Sequence, residues 1–272
     1  MTGLASTYQI ALVAAVEAAK KIMAIYATPF KKETKSDGSP VTQADLASSR
    51  IIQSHLVKTT IPIIGEELVK APYEERQKWE KCWLVDPLDG TKEFIKKNGE
   101  FVINIALIEN QQPLFGLIAS PVKQQMIFGG KAIDAVYTIH FDQIHDSASW
   151  KKMPLLNTHN FPPLIISSRS HFSGDILKVV QPLEQEFGGY VNKTMGSAMK
   201  FFDLCEGKAD VYPRLAPTME WDIAAGQALY EFLGGEIIDF TTKRPLQYNK
   251  SDLYNPYFIA YTPSLKKYFF GA

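Results

Sequence analysis

Cysteine is scarce in this sequence, and neither sign of charge is in excess. The two cysteines, Cys82 and Cys205, sit in apolar surroundings with no CxxC or Cys/His partner spacing. No disulfide framework is therefore expected, and a reducing, cytoplasmic compartment fits. A buried cysteine usually serves as a small hydrophobe, so no catalytic thiol is assigned. The 29 Lys and Arg residues balance 29 Asp and Glu, which leaves no surplus positive charge for gripping a polynucleotide. No apolar run reaches the ~20 residues needed to span a bilayer. Residues 1–16 are uncharged but lack a basic leader, and Glu17, Lys20 and Lys21 then break the apolar run, so no targeting segment is expected. The five histidines, His55, His140, His145, His159 and His171, do not pair at metal-ligand spacing. Also missing are a GxxxxGK(S/T) loop, a GxGxxG turn, an HExxH helix and a GxSxG elbow.

What is present is a chain with enough apolar surface to fold. Its 272 residues are 46% hydrophobic and 12% aromatic, the length of one large domain or two smaller ones. Leu12, Val13, Val16, Ala19, Met23 and Tyr26 recur at three- and four-residue steps, so residues 4–26 are expected to form an amphipathic helix. The polar stretch 31–40 reads as a mobile loop. Thr42 and Asp45 then open a helix to about residue 57 as a capping box. Short strands are expected at 61–65 and 83–85, followed by a meander at 101–109, 114–119, 125–129 and 135–139, which together argue for an antiparallel sheet. The polar, proline-bearing segment 141–163 contains the expected boundary, giving halves 1–155 and 156–272. In the second half, strands at 164–167, 209–212 and 236–239 alternate with helices at 173–187, 197–206 and 223–233. The expected fold class is accordingly α/β, a mixed α+β layered fold.

The informative stretch is Trp83-Leu84-Val85-Asp86-Pro87-Leu88-Asp89-Gly90-Thr91. An apolar strand delivers Asp86 to its end, Pro87 fixes a tight turn, and Asp89 returns on the same side. Gly90 allows close backbone approach to a ligand. Paired carboxylates suit a hard cation such as Mg²⁺, and the free amides at the start of a short helix over 92–97 suit a phosphate. Two further acidic sites, Gly65-Glu66-Glu67 and Trp221-Asp222 at a helix start, make the combination more specific than any one turn.

These three motifs, in this order, resemble the signatures of the inositol monophosphatase superfamily, Mg²⁺-dependent and lithium-sensitive phosphomonoesterases with a layered α-β-α-β-α sandwich. The run Asp89 to Phe101, with Lys92-Glu93-Phe94 after the Asp-Gly-Thr, is more selective and resembles the 3′(2′),5′-bisphosphate nucleotidase branch, the bacterial CysQ type. The resemblance implies roles. Glu66, Asp86 and the Leu88 carbonyl would hold one Mg²⁺. Asp86, Asp89 and Asp222 would hold a second, and Glu66 would touch a weaker third ion through water. Asp45 and Thr91, with Glu66 among the catalytic set, would orient and deprotonate the attacking water, and the Gly90 and Thr91 amides would bind phosphate. Glu66, Leu88, Asp89 and Asp222 also border the substrate in this scheme. His171, Gly196, Ser197, Lys200 and Arg214 would select it, although Ala198 stands where the family commonly has a further serine. Lys35 and Asp37 lie in the loop that closes near the metals in this family.

The implied reaction is hydrolysis of adenosine 3′,5′-bisphosphate to AMP and phosphate, with adenylyl-sulfate 3′-phosphate as a second substrate and a link to sulfur assimilation. An inositol- or sugar-phosphate phosphatase on the same scaffold is the first alternative. A non-catalytic Mg²⁺- or nucleotide-binding module is the second, disfavoured because a cation site alone needs no Asp45–Thr91 pair. The expected partner is a small nucleotide bisphosphate. Homodimer and monomer stay open, as does peripheral association with the inner membrane.

Overall fold

The computed structural model describes residues 4–35, 38–168 and 174–270. The chain opens with helix α1 (Ser6–Tyr26), a hairpin of β1 (Lys32–Thr34) and β2 (Pro40–Thr42), and helix α2 (Gln43–Leu56). Then come β3 (Ile63–Gly65), α3 (Tyr73–Arg76), β4 (Lys81–Asp89), α4 (Thr91–Ile95), β5 (Val102–Glu109), β6 (Gln112–Ser120), β7 (Gln125–Gly130), β8 (Ala135–His140) and β9 (Lys151–Lys152). The remainder is β10 (Leu164–Ser167), α5 (Asp175–Phe187), β11 (Val191–Thr194), α6 (Lys200–Cys205), β12 (Val211–Arg214), α7 (Glu220–Phe232), β13 (Glu236–Asp239), β14 (Phe258–Tyr261) and α8 (Lys266–Phe270).

Strands β3 to β9 pair in chain order in one seven-stranded sheet. It is antiparallel throughout except for the parallel β3–β4 pair. Its central strands are buried along almost their whole length, because alternate residues pack against different helices. Trp83, Val85, Ile103, Ile105 and Leu117 join a cluster with Leu12 and Ile22 of α1 and Ile52 of α2. Leu84, Ala106, Ile118 and Ile127 face the other way, into a cluster with Phe201 of α6 and Ala224 and Leu229 of α7. That second cluster continues to Ile166, Tyr212, Ile237 and Phe258 of a five-stranded sheet of order β11-β10-β12-β14-β13. The sheet's outer face, with Ile165, Val211, Ile259 and Tyr261, packs on Val180 and Leu183 of α5. The layers therefore run helix, sheet, helix, sheet, helix.

Close approach of α7 to the first sheet depends on Gly116, where a Cβ would stand 2.2 Å from the Ala225 carbonyl. This contact seats α7, and with it Asp222, against the strands that carry Asp86.

Among the differences from the sequence reading, three bear on the site. Residues 32–34, expected in a mobile loop, pair antiparallel with residues 40–42, Lys32 opposite Thr42, and Gly38 takes φ +83°. Strand β4 continues through Asp86 to Asp89 across a register shift instead of stopping at Asp86. Helix α6 starts at Lys200 because Ser197 takes a left-handed φ of 49°.

Candidate active site

The register shift in β4 puts Asp86 and Asp89 on one side of the chain. The Asp86 side chain accepts the Leu88 amide at 2.9 Å, so the turn is held by the acid it presents. Gly90 follows at φ +99°, and a Cβ there would stand 2.8 Å from the Glu100 carbonyl; this position requires glycine on both counts. Ser48 of α2 donates to the Pro87 carbonyl at 2.7 Å, tying the turn to the helix behind it.

That helix supplies Asp45. Its Oδ2 accepts the Thr42 amide at 2.8 Å and the Thr42 hydroxyl at 2.6 Å, the reciprocal cap expected from the sequence. Oδ1 is left to accept the Thr91 hydroxyl at 2.7 Å. Burial pushes the Asp45 carboxyl above the usual range, although its hydrogen bonds to Thr42 and Thr91 act the other way.

Asp86, Asp89 and Asp222 form the acidic wall of a cavity of about 490 Å³ that Glu66 also lines. Asp86 is 2% exposed. Its carboxyl is pushed well up by burial and by the neighbouring Glu66, Asp89 and Asp222. Asp222 is likewise pushed well up, by burial and then by Asp89. It also caps α7 by accepting the Met219 amide at 2.9 Å. Asp89 is raised by burial, while the Ala198 amide and the Lys200 charge oppose the shift. At the rim, Lys35 from the hairpin bridges Glu66 at 2.7 Å and Glu67. These pairings push its ammonium up against the effect of burial.

Gly196, Ser197, Lys200 and Arg214 line the same cavity. Lys200 is 3% exposed and donates to the Met195 carbonyl at 3.0 Å and the Ser197 carbonyl at 2.6 Å. Arg214 donates to the Ser168 hydroxyl and to the Pro217 carbonyl at 3.2 Å, while its buried Nε has no hydrogen-bond partner among the described residues. His171 and Asp37 lie outside the described residues.

One cavity thus collects Glu66, Asp86, Leu88, Asp89, Gly90, Thr91, Gly196, Ser197, Lys200, Arg214 and Asp222, and Asp45 reaches it through Thr91. Sequence reasoning missed Asn104. Asn104 is 1% exposed and pairs across strands with Asp86. It donates to Asp89 Oδ2 at 3.4 Å, and its Oδ1 has no partner among the described residues. A lone asparagine in an apolar strand gave no signal beyond its polarity. Glu100 was also missed, although it sits in the selective run after Thr91.

Among the described residues, no group of three or more Asp, Glu, His or Cys side chains is already drawn together as a metal-ligand set. The chemistry of the donors nevertheless fits a hard divalent cation. They are all carboxylate or carbonyl oxygens on one cavity, and the buried acids shift one another's protonation as groups awaiting a counter-charge do. The thiols are unsuited to nucleophilic work, since burial raises both and carries Cys82 to about 12. No described helix is long and apolar enough to cross a membrane.

A five-layered fold with carboxylates, a capped Asp–Thr pair and basic residues around one cavity defines a class of phosphatase, and comparison with known proteins agrees. Residues 4–267 match the inositol monophosphatase family, and the chain belongs to that family. It is 40% identical over 229 residues to the 3′(2′),5′-bisphosphate nucleotidase CysQ of Salmonella typhimurium, covering 82% of this chain and 86% of that one. The crystal structure of CysQ from Bacteroides thetaiotaomicron, a bacterial member of the same family, superposes with a TM-score of 0.80 at 38% identity, over 93% of this chain and 96% of that chain. The suhB extragenic suppressor protein of Bartonella henselae shares the fold, with a TM-score of 0.72 at 19% identity over 96% of each chain.

Proposed function

We infer that the protein is a 3′(2′),5′-bisphosphate nucleotidase that hydrolyses adenosine 3′,5′-bisphosphate to AMP and phosphate, and accepts adenylyl-sulfate 3′-phosphate as well. The observation that carries this reading is a single cavity with two kinds of lining: buried acids beside the Asp45–Thr91 pair, together with Ser197, Lys200 and Arg214. Relatives about 40% identical bear the nucleotidase name. In the proposed arrangement the acids belong to residues 1–155 except Asp222, and the selecting residues belong to 156–272.

Glu66, Asp86 and the Leu88 carbonyl would hold one Mg²⁺, and Asp86, Asp89 and Asp222 a second, with Glu66 near a third. When bound, such ions neutralise charge on the entering and leaving oxygens and acidify water. The protein's own share of the chemistry is proton handling and orientation. Thr91 gives its hydroxyl hydrogen to Asp45 Oδ1 and lines the cavity, so its oxygen lone pairs are left to accept a proton from the incoming water. Asp45 is held by Thr42 and is made more basic by burial, which suits it to take that proton's charge. Water oxygen bonds to phosphorus as the ester P–O bond breaks, the 3′-oxygen leaves with the bonding pair and takes a proton from solvent water, and Asp45 later returns its proton to solvent. In the same cavity, Arg214 Nε is a buried donor without a partner among the described residues, an anion contact that the remote 5′-phosphate would satisfy. Lys200 adds positive charge beneath the 195–197 segment while bracing its carbonyls.

Phosphate release with Mg²⁺ from adenosine 3′,5′-bisphosphate, inositol 1-phosphate and fructose 1,6-bisphosphate tests the reading. The nucleotide is expected to have the highest kcat/KM. Arg214→Ala should lower that constant by ~10–150-fold, the loss of one charge-assisted hydrogen bond, and leave p-nitrophenyl phosphate nearly untouched. Preference for inositol 1-phosphate would overturn the nucleotidase reading and leave a phosphatase of this family.

A further inference from the structure

Two amide-to-carboxylate bonds reach from the segment after β11, one to the last residue of β4 and one to the loop between α4 and β5. The Ala198 amide donates to Asp89 Oδ2, and the Gly196 amide donates to Glu100 Oε2 at 2.7 Å. Ser197 sits between these anchors in a left-handed conformation. Its Cβ lies 3.1 Å from the point where a Cβ on Gly90 would stand, and the Glu100 carbonyl lies 2.8 Å from that same point. Gly196 is enclosed in turn, since a Cβ there would stand 2.9 Å from Glu93 Cγ and 3.0 Å from Glu100 Oε2. Glu100 is itself fixed, its amide donating to Asn98 Oδ1 at 3.0 Å. Glu100 thus grips the 196–197 segment by side chain and crowds the Gly90 turn by backbone. It is not among the residues lining the cavity, so it acts on a bound molecule only through what it holds.

We propose that Glu100 is a positioning residue: it locks Gly196 and Ser197 beside the Asp89–Gly90–Thr91 turn and so selects substrates that extend past the reacting phosphate. Of the two anchors, Asp89 belongs to the acidic wall and is engaged in the chemistry. Glu100 is the one that serves positioning alone. A bond from an N–H to a carboxylate is about twice as strong as a neutral one, and orientation of remote groups feeds directly into rate. A small monoester engages only the acidic wall and has no use for Ser197. The proposal rests on the nucleotidase reading for the identity of the extended substrate.

The test compares kcat/KM for adenosine 3′,5′-bisphosphate and for p-nitrophenyl phosphate in wild type, Glu100→Ala and Glu100→Gln, with melting temperatures alongside. Glu100→Ala should lower the bisphosphate constant by about tenfold or more, chiefly through KM, with p-nitrophenyl phosphate unchanged. Glu100→Gln keeps an acceptor oxygen for Gly196 and should recover most of the loss. If the alanine variant does not fold, Glu100→Asp, too short to reach Gly196, carries the same expectation. An equal fall for both substrates would make Glu100 a support of the catalytic turn and overturn the proposal. So would no change for either, or a glutamine variant no better than alanine. Wild-type preference among the natural substrates, measured in the same series, tests the nucleotidase reading separately. A wild type that favours the bisphosphate with an unmoved Glu100→Ala ratio sinks this inference alone.

Discussion

Asp89 has two sorts of partner, and each predicts a different consequence of its loss. It accepts the Ala198 amide and the Asn104 side chain, and it adds charge to buried neighbours whose protonation it raises. Replacement by asparagine keeps an acceptor oxygen while removing a charge from a repulsive cluster. Asp89→Asn should therefore cost little stability, with a melting-temperature shift of no more than about 4 °C. Mg²⁺-dependent turnover should fall more than about a hundredfold, since even residues behind the ligands of a metal typically cost 10–100-fold. Thermal melts, circular dichroism and turnover decide it: a variant with wild-type turnover removes Asp89 from the metal site. Asp89 was legible from its spacing, two residues beyond Pro87 at the end of an apolar strand. Glu100 and Asn104 were not, because their meaning comes from contacts: Glu100 meets Gly196 across 96 positions, and Asn104 meets Asp86 only through strand register. Nothing in the local residue pattern encodes either pairing.

At the scale of elements, α2 shows one cap doing two jobs. Thr42 closes the helix N-terminus and clamps Asp45 Oδ2, so Oδ1 is aimed at Thr91. Thr42→Ala should cost about 1 kcal/mol of stability, as lost caps do, and should lower kcat more than it changes KM because Asp45 loses its fixed orientation. Thr42→Ser keeps the hydroxyl and should behave as wild type. A kcat unaffected by the alanine change would separate the cap from the chemistry. The cap and the meander of β5 to β8 could be read from the sequence because both are local: a three-residue spacing in the first case, apolar runs broken by turns in the second. Strand β11 could not be read. All four of its residues are exposed, so it has no buried face to give it alternation, and it exists by pairing with β10. The β1–β2 hairpin looked like a mobile loop for a similar reason. Its composition is polar, and its Lys35 anchor lies on Glu66 and Glu67, some thirty positions away.

The whole molecule has a formal net charge of +0, yet its charge is unevenly placed, and that unevenness makes stability depend on both pH and cation. Burial and mutual repulsion raise Asp86 and Asp222 above their ordinary range. An acid raised on folding contributes stability that is fully present below its unfolded value, ~3.9 for Asp, and is lost as pH rises through the folded value. In the absence of a divalent ion, this cluster therefore weakens the fold progressively from acid toward neutral pH. At the proposed site Mg²⁺ would bind the ionised carboxylates, so it should act where that weakening is greatest. Free Mg²⁺ at about one hundred times its dissociation constant adds roughly 2.7 kcal/mol to a folded state that binds it. For a chain of this size that is a rise of about 5–11 °C in melting temperature. The rise should be full near pH 8 and should shrink as pH falls, because protons compete with the cation for carboxyls that burial and mutual repulsion have raised. Asp222→Asn should shrink it throughout. Melting curves with Mg²⁺ and with a chelator at pH 5 and pH 8 measure this directly. A rise of equal size at pH 5 and pH 8 would show that the cation is not bound by the raised carboxylates, and the acidic wall would lose its assignment as the metal site.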